Sequence, residues 1–289
     1  MNYFFHLGIM LEIYILLAVA YNFVLGYAGM LSLCQAMYYG LGAYSAALLG
    51  IHLRLSFVVI LPSAMLIAGC AGWVVSLLAR RLRDLYFGLA TLAVQIIFFS
   101  VAYNWEWATK GPYGITDIPN PDFIVAKVES VPSFFVLGGV LLVASLLFSR
   151  WFQRTPVCRI MRCVRDDQVA ITSLGKNPER YKALASVIGA AMSGAAGVLY
   201  AMYITYIDPT SFTLDGSILI LSILMVGGSG NLTGPVAGAV FYTFVPEILK
   251  VLHLSDSVAA NLRLIIFGGL LILVIRFRPN GFFGTFQIR

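Results

Sequence analysis

Charge is scarce in this sequence. Of 289 residues only 11% are Asp, Glu, Lys or Arg, against roughly 25% in soluble globular domains. With 60% hydrophobic residues and a mean hydropathy of +0.88, polar side chains are too few to cover a water-facing surface, and the excess apolar surface must face lipid. Chemistry-bearing groups are scarce too. The three histidines, His6, His52 and His253, have no cysteine or second histidine at ligand spacing, so no metal site is expected. Cys34 and Cys70 sit in apolar segments and Cys158 and Cys163 in a basic one, a distribution that excludes a secreted disulfide framework and leaves four reduced thiols.

No G-x-x-x-x-G-K-[ST] phosphate loop occurs, so the chain is expected to bind no nucleotide and to carry no ATPase site of its own. The run Gly227–Pro235 is glycine-rich but lacks the Lys-Ser/Thr that follows such a loop, and reads as a tight turn. Paired carboxylates appear only as the adjacent Asp166 and Asp167, and no Ser-His-Asp or Cys-His grouping stands out, which leaves an enzyme little support. Met1 leads almost directly into a span-length apolar run, so the first segment is read as retained rather than cleaved. The formal net charge of +6 would point to nucleic acid in a soluble protein. Here the basic residues cluster in short loops between apolar runs, where the positive-inside rule explains them and no nucleic-acid partner is implied.

What is abundant is apolar runs of crossing length. At roughly 20 residues per crossing, spans are read near 4–25, 30–51, 57–79, 85–104, 132–151, 183–206, 215–228, 233–253 and 262–277. The expectation is a single all-α domain over 1–289, a polytopic transmembrane helical bundle of eight to nine spans. Two segments are irregular. Gly26–Gly50 is rich in glycine, and Gly216–Val226 is short for a span. Either is a candidate broken or re-entrant helix, tolerated where protein buries the freed backbone groups. Eight of the nineteen basic residues lie between Arg150 and Lys182, which predicts that this loop is cytoplasmic. Arg80, Arg81 and Arg83 mark a second cytoplasmic turn, and Arg276, Arg278 and Arg289 place the C-terminus on the same side. Nine crossings then put the N-terminus outside. The 105–131 loop lacks a basic excess and reads as external.

The cytoplasmic loop 152–182 is the strongest functional clue. A helix is expected after Pro156, then a second capped by Asp166 and Asp167 and ending near Leu174. Gly175 supplies a left-handed stop, and Asn177-Pro178 launches the next helix. A connector held by anionic headgroups is the plain reading; a docking helix for a cytoplasmic motor is the sharper one.

At this loop the sequence resembles the permeases of ABC importers, whose coupling helix carries Glu-Ala-Ala-x-x-x-Gly. The stretch from Val169 to Gly175 keeps Ala170 and Gly175, with Val169 in place of the Glu and Ile171 in place of the second Ala. The blocks GYAGMLSLCQAMYYGLGAYSAALL (26–49), RLRDLYFGLATLA (81–93), KGPYGITDIP (110–119), RCVRDDQVAITSLGKNPERYKALASVIGAAMSGAAGVLYA (162–201) and FRPNGFFG (277–284) are similar to branched-chain amino acid permeases, in that family's order. The LivM type fits better, on Arg81–Tyr86 and the 110–119 block. Two departures stand out: Cys34-Gln35 where the family commonly has Gly-His, and Lys110 where Thr109-Gly-Gly-Pro is usual. The resemblance implies a homologous second permease, two cytoplasmic ATPase subunits that hydrolyse ATP, an external substrate-binding protein and an amino-acid solute, in a bacterial cytoplasmic membrane. It implies an ATPase-coupling role for Arg162, Arg165, Asp166, Asp167, Ala170 and Gly175.

Small residues recur at helix-packing spacing, at Gly40, Gly42, Ala43, Ala46 and Ala47 and again at Gly189, Ser193, Ala196 and Gly197, where close backbone approach holds helices together in lipid. Among polar residues in the apolar runs, Asn22, Ser32, Gln35, Thr91, Gln95 and Ser222 are all neutral, which argues against a proton relay. Ser32, Gln35, Gln95 and Ser222 are the candidates for the translocation path, against the commoner role of interhelical hydrogen bonds. The rivals are a permease for urea, short amides or other amino acids, which shares most of these blocks, and an ion-coupled secondary transporter, which needs ionisable groups at mid-membrane.

Overall fold

The computed structural model describes residues 2–79, 84–121 and 130–251, together with Leu82 and Gly269. Arg80, Arg81, Arg83, the basic C-terminal end and, Gly269 apart, the expected span at 262–277 lie outside the described residues. The described chain is helical, with one isolated antiparallel bridge, Ile115 to Ile207. Its helices are α1 (Asn2–Tyr21), α2 (Gln35–Leu53), α3 (Phe57–Ala79), α4 (Asp84–Asn104), α5 (Glu106–Thr109), α6 (Val131–Gln153), α7 (Pro156–Asp166), α8 (Gln168–Ser173), α9 (Pro178–Ile204), α10 (Leu214–Gly227) and α11 (Thr233–Val251). Five helical stretches among the described residues are long and apolar enough to cross a membrane: Tyr3–Tyr27, Phe57–Leu78, Tyr86–Asn104, Val131–Gln153 and Pro178–Ile204. This is an all-α polytopic membrane bundle.

Helix α9 is the centre, packed against α1, α2 and α3. Its small residues decide how closely. A Cβ on Gly197 would stand 2.1 Å from the Tyr39 carbonyl, and one on Gly189 would stand 2.9 Å from that of Ala20. Ser186 Oγ donates to the Gly72 carbonyl at 2.9 Å. Such backbone-to-backbone approach replaces the hydrophobic drive that lipid cannot supply. The outer faces are apolar as well: on α6, Val136, Val140, Val143, Leu147 and Trp151 form one exposed stripe at helical spacing, a surface suited to acyl chains and not to water.

Of the two segments read as irregular, the first is broken near its start and the second is a regular but short helix. Helix α1 runs into a π-helical turn, Asn22–Tyr27, and residues 28–34 are non-helical before α2 begins at Gln35. Helix α10 has 14 residues, about 21 Å at 1.5 Å per residue, short of a hydrocarbon core of about 30 Å. It folds back on α11 through a turn that needs glycine: a Cβ on Gly227 would stand 1.9 Å from the Gly234 carbonyl, and one on Gly238 2.0 Å from that of Ile223. The Gly227–Pro235 run is thus a helical-hairpin turn.

Candidate translocation site and coupling segment

Starting α2 inside the bundle creates a backbone problem. The first N–H groups of a helix have no partner within it, and in lipid each unsatisfied group costs several kcal/mol. Side chains from two other helices solve it. Leu33 N donates to Thr91 Oγ1 at 3.0 Å, Ala36 N to Ser217 Oγ at 2.9 Å, and Met37 N to Gln95 Oε1 at 2.9 Å. Gln95 Nε2 in turn donates to the Phe212 carbonyl at 2.8 Å, and Tyr21 Oη to the Ser32 carbonyl at 2.8 Å. Gln35 Nε2 donates to Ser193 Oγ on α9, while Gln35 Oε1 is buried without a hydrogen-bond partner.

Three of the four candidate path residues, Ser32, Gln35 and Gln95, therefore meet around the start of α2, each buried. Ser222 stands apart and donates to the Ile218 carbonyl of its own helix. Thr91 and Ser193 join the cluster, as does Ser217, which the sequence reading passed over. The signal for Ser217 lay in the glycine-rich 26–50 segment, whose broken backbone calls for acceptors from outside itself.

The expectation that no ionisable group lies in the apolar runs does not hold. Glu12 sits midway along α1 at 6% exposure, and its Oε2 is buried without a hydrogen-bond partner. The carboxyl lies over Gly138 and Gly139 of α6, where missing side chains leave room: a Cβ on Gly138 would stand 2.1 Å from Oε2. One carboxyl among nineteen residues of high hydropathy hardly alters a run's average, which is why the span was read correctly and its carboxylate overlooked.

The 152–182 segment has the local order its sequence encodes. Thr155 caps α7, and Asp167 caps α8 by accepting from Val169 N at 2.8 Å and Ala170 N at 3.1 Å. Gly175 has φ +73°, and Asn177 caps α9 through Glu179 N at 2.9 Å. Cys158, Met161 and Val164 bury one face of α7, and Ile171 anchors α8, while Val169 and Leu174 remain 76% and 73% exposed. Burial pushes the Cys158 thiol up from the ordinary cysteine range, against the opposing pull of Arg162 and Arg165.

The six residues assigned to coupling divide in two. Asp166, Asp167, Ala170 and Gly175 are exposed. Arg162 and Arg165 turn inward. Arg165 Nη1 donates to the Gly26 carbonyl at 2.6 Å, Arg162 Nη2 to that of Gly230 at 3.4 Å, and Arg162 Cζ stands 5.3 Å from the centre of the Tyr27 ring.

Residues 3–275 match the family described as branched-chain amino acid transport system, permease component. The chain belongs to this family. The permease is 30% identical to the high-affinity branched-chain amino acid transport system permease protein LivM of Salmonella typhimurium, over 94% of this chain and 68% of that relative. It is equally 30% identical to LivM of Escherichia coli, over 93% and 67%. It is 27% identical to LivH of Salmonella typhimurium, over 95% and 92%. No solved structure gives a significant match. The relatives are permease proteins of a transport system, which suits a membrane subunit with no enzyme activity.

Proposed function

We propose that the permease is the membrane subunit of an ATP-driven importer of branched-chain amino acids and forms its translocation path with a homologous second permease. Two cytoplasmic ATPase subunits and an external substrate-binding protein complete the assembly. The partners hydrolyse ATP, and this chain binds no cofactor. The membrane is the bacterial cytoplasmic one, with the N-terminus external and both the 152–182 segment and the C-terminus cytoplasmic; the 105–131 loop is external.

The observation that carries this reading is α8. A six-residue helix, capped by Asp167 and pinned by Ile171, holds Val169 and Leu174 out into solvent beside Asp166. Two large exposed aliphatic side chains on a loop otherwise rich in charge suit a protein partner. Closure of the ATPases moves this helix, and the two permeases rock between inward- and outward-facing states around a fixed path. Ser32, Gln35 and Gln95 line that path, and the unpartnered Gln35 Oε1 is an acceptor for a solute ammonium group. Ser222, bonded within its own helix, has least to offer a solute.

The test is a Val169→Asp/Leu174→Asp variant in cells. Expected is loss of labelled-leucine uptake and of co-purifying ATPase subunits, with the variant still in the membrane. Uptake and co-purification at wild-type levels sink the reading. Wild-type cells that take up urea or short amides through this system and not leucine move it to that branch.

A further inference from the structure

The inward turn of Arg162 and Arg165 joins three breaks in helical order. The π-helical turn Asn22–Tyr27 ends α1, the glycine turn after α10 reverses the chain, and α7 begins the cytoplasmic segment. Asn22 ties the first two: its Nδ2 donates to the Asn231 carbonyl at 2.8 Å, and its Oδ1 accepts from Gly230 N at 2.9 Å. The arginines of α7 tie both to the third, Arg165 through the Gly26 carbonyl and Arg162 through the Gly230 carbonyl and the Tyr27 ring. Gln153 Nε2 at the end of α6 donates to Tyr27 Oη at 2.6 Å. The fit is close. A Cβ on Gly29, at φ +70°, would stand 2.5 Å from Arg165 Cγ, and one on Gly26 would stand 2.8 Å from Gly230 N. The side chain of Arg165 is 10% exposed, against 62% for Asp166 beside it.

We propose that Arg162 and Arg165 are positioning residues that carry the movement of the α7–α8 segment into the bundle, by gripping the π-helical turn of α1 and the α10–α11 turn as one clamp. The proposal rests on the importer reading above. A π turn interrupts the regular ladder of a helix, often at a functional site, and the glycine turn is packed backbone on backbone, so a displacement of α7 is passed to the ends of α1 and α10. Asp166, held by Arg165 Nε at 2.9 Å, places the exposed docking face and the buried grip on adjacent residues.

The experiment uses the whole importer, purified through a tag on this permease and reconstituted with its binding protein, with leucine as the probe and leucine moved per ATP hydrolysed as the readout. In Arg165→Gln and Arg162→Gln, ATPase subunits co-purify as in wild type and the ratio falls about five- to tenfold, the lower end of ordinary coupling between sites. Arg165→Lys, which keeps a charged donor for the Gly26 carbonyl, retains more of the ratio than Arg165→Gln. A wild-type ratio in Arg165→Gln overturns the proposal, as does loss of the ATPase subunits, which places Arg165 in the docking face. Where Arg165→Gln does not accumulate, Arg162→Lys decides: it keeps the charge but loses the guanidinium over the Tyr27 ring and its donor to the Gly230 carbonyl. A reduced ratio at normal abundance then supports the clamp, and an unchanged one overturns it. The Val169→Asp/Leu174→Asp variant separates the two readings, since its failure to release the ATPases removes the importer reading whatever the arginine variants do.

Discussion

Gly42 of α2 lies against the backbone of Gly194 of α9, so near that a Cβ on Gly42 would stand 2.1 Å from the Gly194 carbonyl oxygen. The obstacle is backbone, which cannot swing aside as a side chain can. Gly42→Ala is expected to force α2 away from α9 and to cost about 1–3 kcal/mol, the usual range for overpacking. Gly69→Ala, where the nearest atoms stand at 3.6 Å or beyond, serves as the control. Thermal unfolding of the detergent-purified permease checks both, and equal midpoints refute the packing argument.

Gln95 serves two elements at once, accepting from Met37 N and donating to the Phe212 carbonyl. Gln95→Leu leaves both buried backbone groups without it, at about 1–3 kcal/mol for each group left unsatisfied. Gln95→Glu keeps the acceptor for Met37 N and, protonated in this buried site, one O–H donor in place of the amide. The expected stability order is wild type, then Gln95→Glu, then Gln95→Leu. A Gln95→Leu protein as stable as wild type contradicts the assigned bonds.

Glu12 invites the opposite result. Its Oε2 has no hydrogen-bond partner, so the cost of burying it is uncompensated, and an apolar side chain of similar shape removes that cost. Glu12→Met and Glu12→Gln are therefore expected to assemble normally, and Glu12→Met to unfold at or above the wild-type temperature. Leucine uptake by the same variants shows whether the carboxyl has work beyond packing: loss of uptake in a stable Glu12→Gln protein assigns it one.

Gly175 has φ +73° with nothing within 4 Å of the position a Cβ would take, so its requirement is conformational and not steric. Asn, which tolerates the left-handed region, is expected to substitute well, and Val to fail, because a β-branched residue is an outlier there. Leucine uptake should survive Gly175→Asn and fall in Gly175→Val. Similar uptake in the two removes the helix-stop role.

Cys163 is exposed and Cys158 is fully buried with its thiol pushed up by burial. An impermeant maleimide is expected to label Cys163 from the cytoplasmic face alone. Cys158 should stay unlabelled even near pH 8.5, where an ordinary thiol is about half ionised. Labelling of Cys163 from the outside reverses the proposed orientation.

The 152–182 segment was legible because its instructions are local. Thr155, Asp167 and Asn177 each cap the helix that follows within three residues, and Gly175 stops one. The packing of α9 was legible from small residues at helical spacing. What sequence could not reveal is set by partners far along the chain. Residues 26–50 could be read as broken, but not that Thr91, Gln95 and Ser217 complete the break, since those residues are ordinary polar members of their own runs. Arg162 and Arg165 looked like members of a solvated basic loop. Their inward turn depends on the π-helical turn, which has no sequence signature of its own, and on Gly230, whose turn could be read from its glycines but whose partners could not. Glu12 was visible but outweighed by its neighbours in a window average.

The break before α2 also imposes an order of events on biosynthesis. The N–H of Ala36 finds its acceptor on Ser217, 181 residues further along. When the first two helices leave the ribosome, that acceptor does not exist, nor do Thr91 for the N–H of Leu33 and Gln95 for that of Met37, and residual water is left to satisfy these groups. The N-terminal third of the chain thus enters the bilayer unfinished, and α10, among the last described helices to be made, is the piece that locks it.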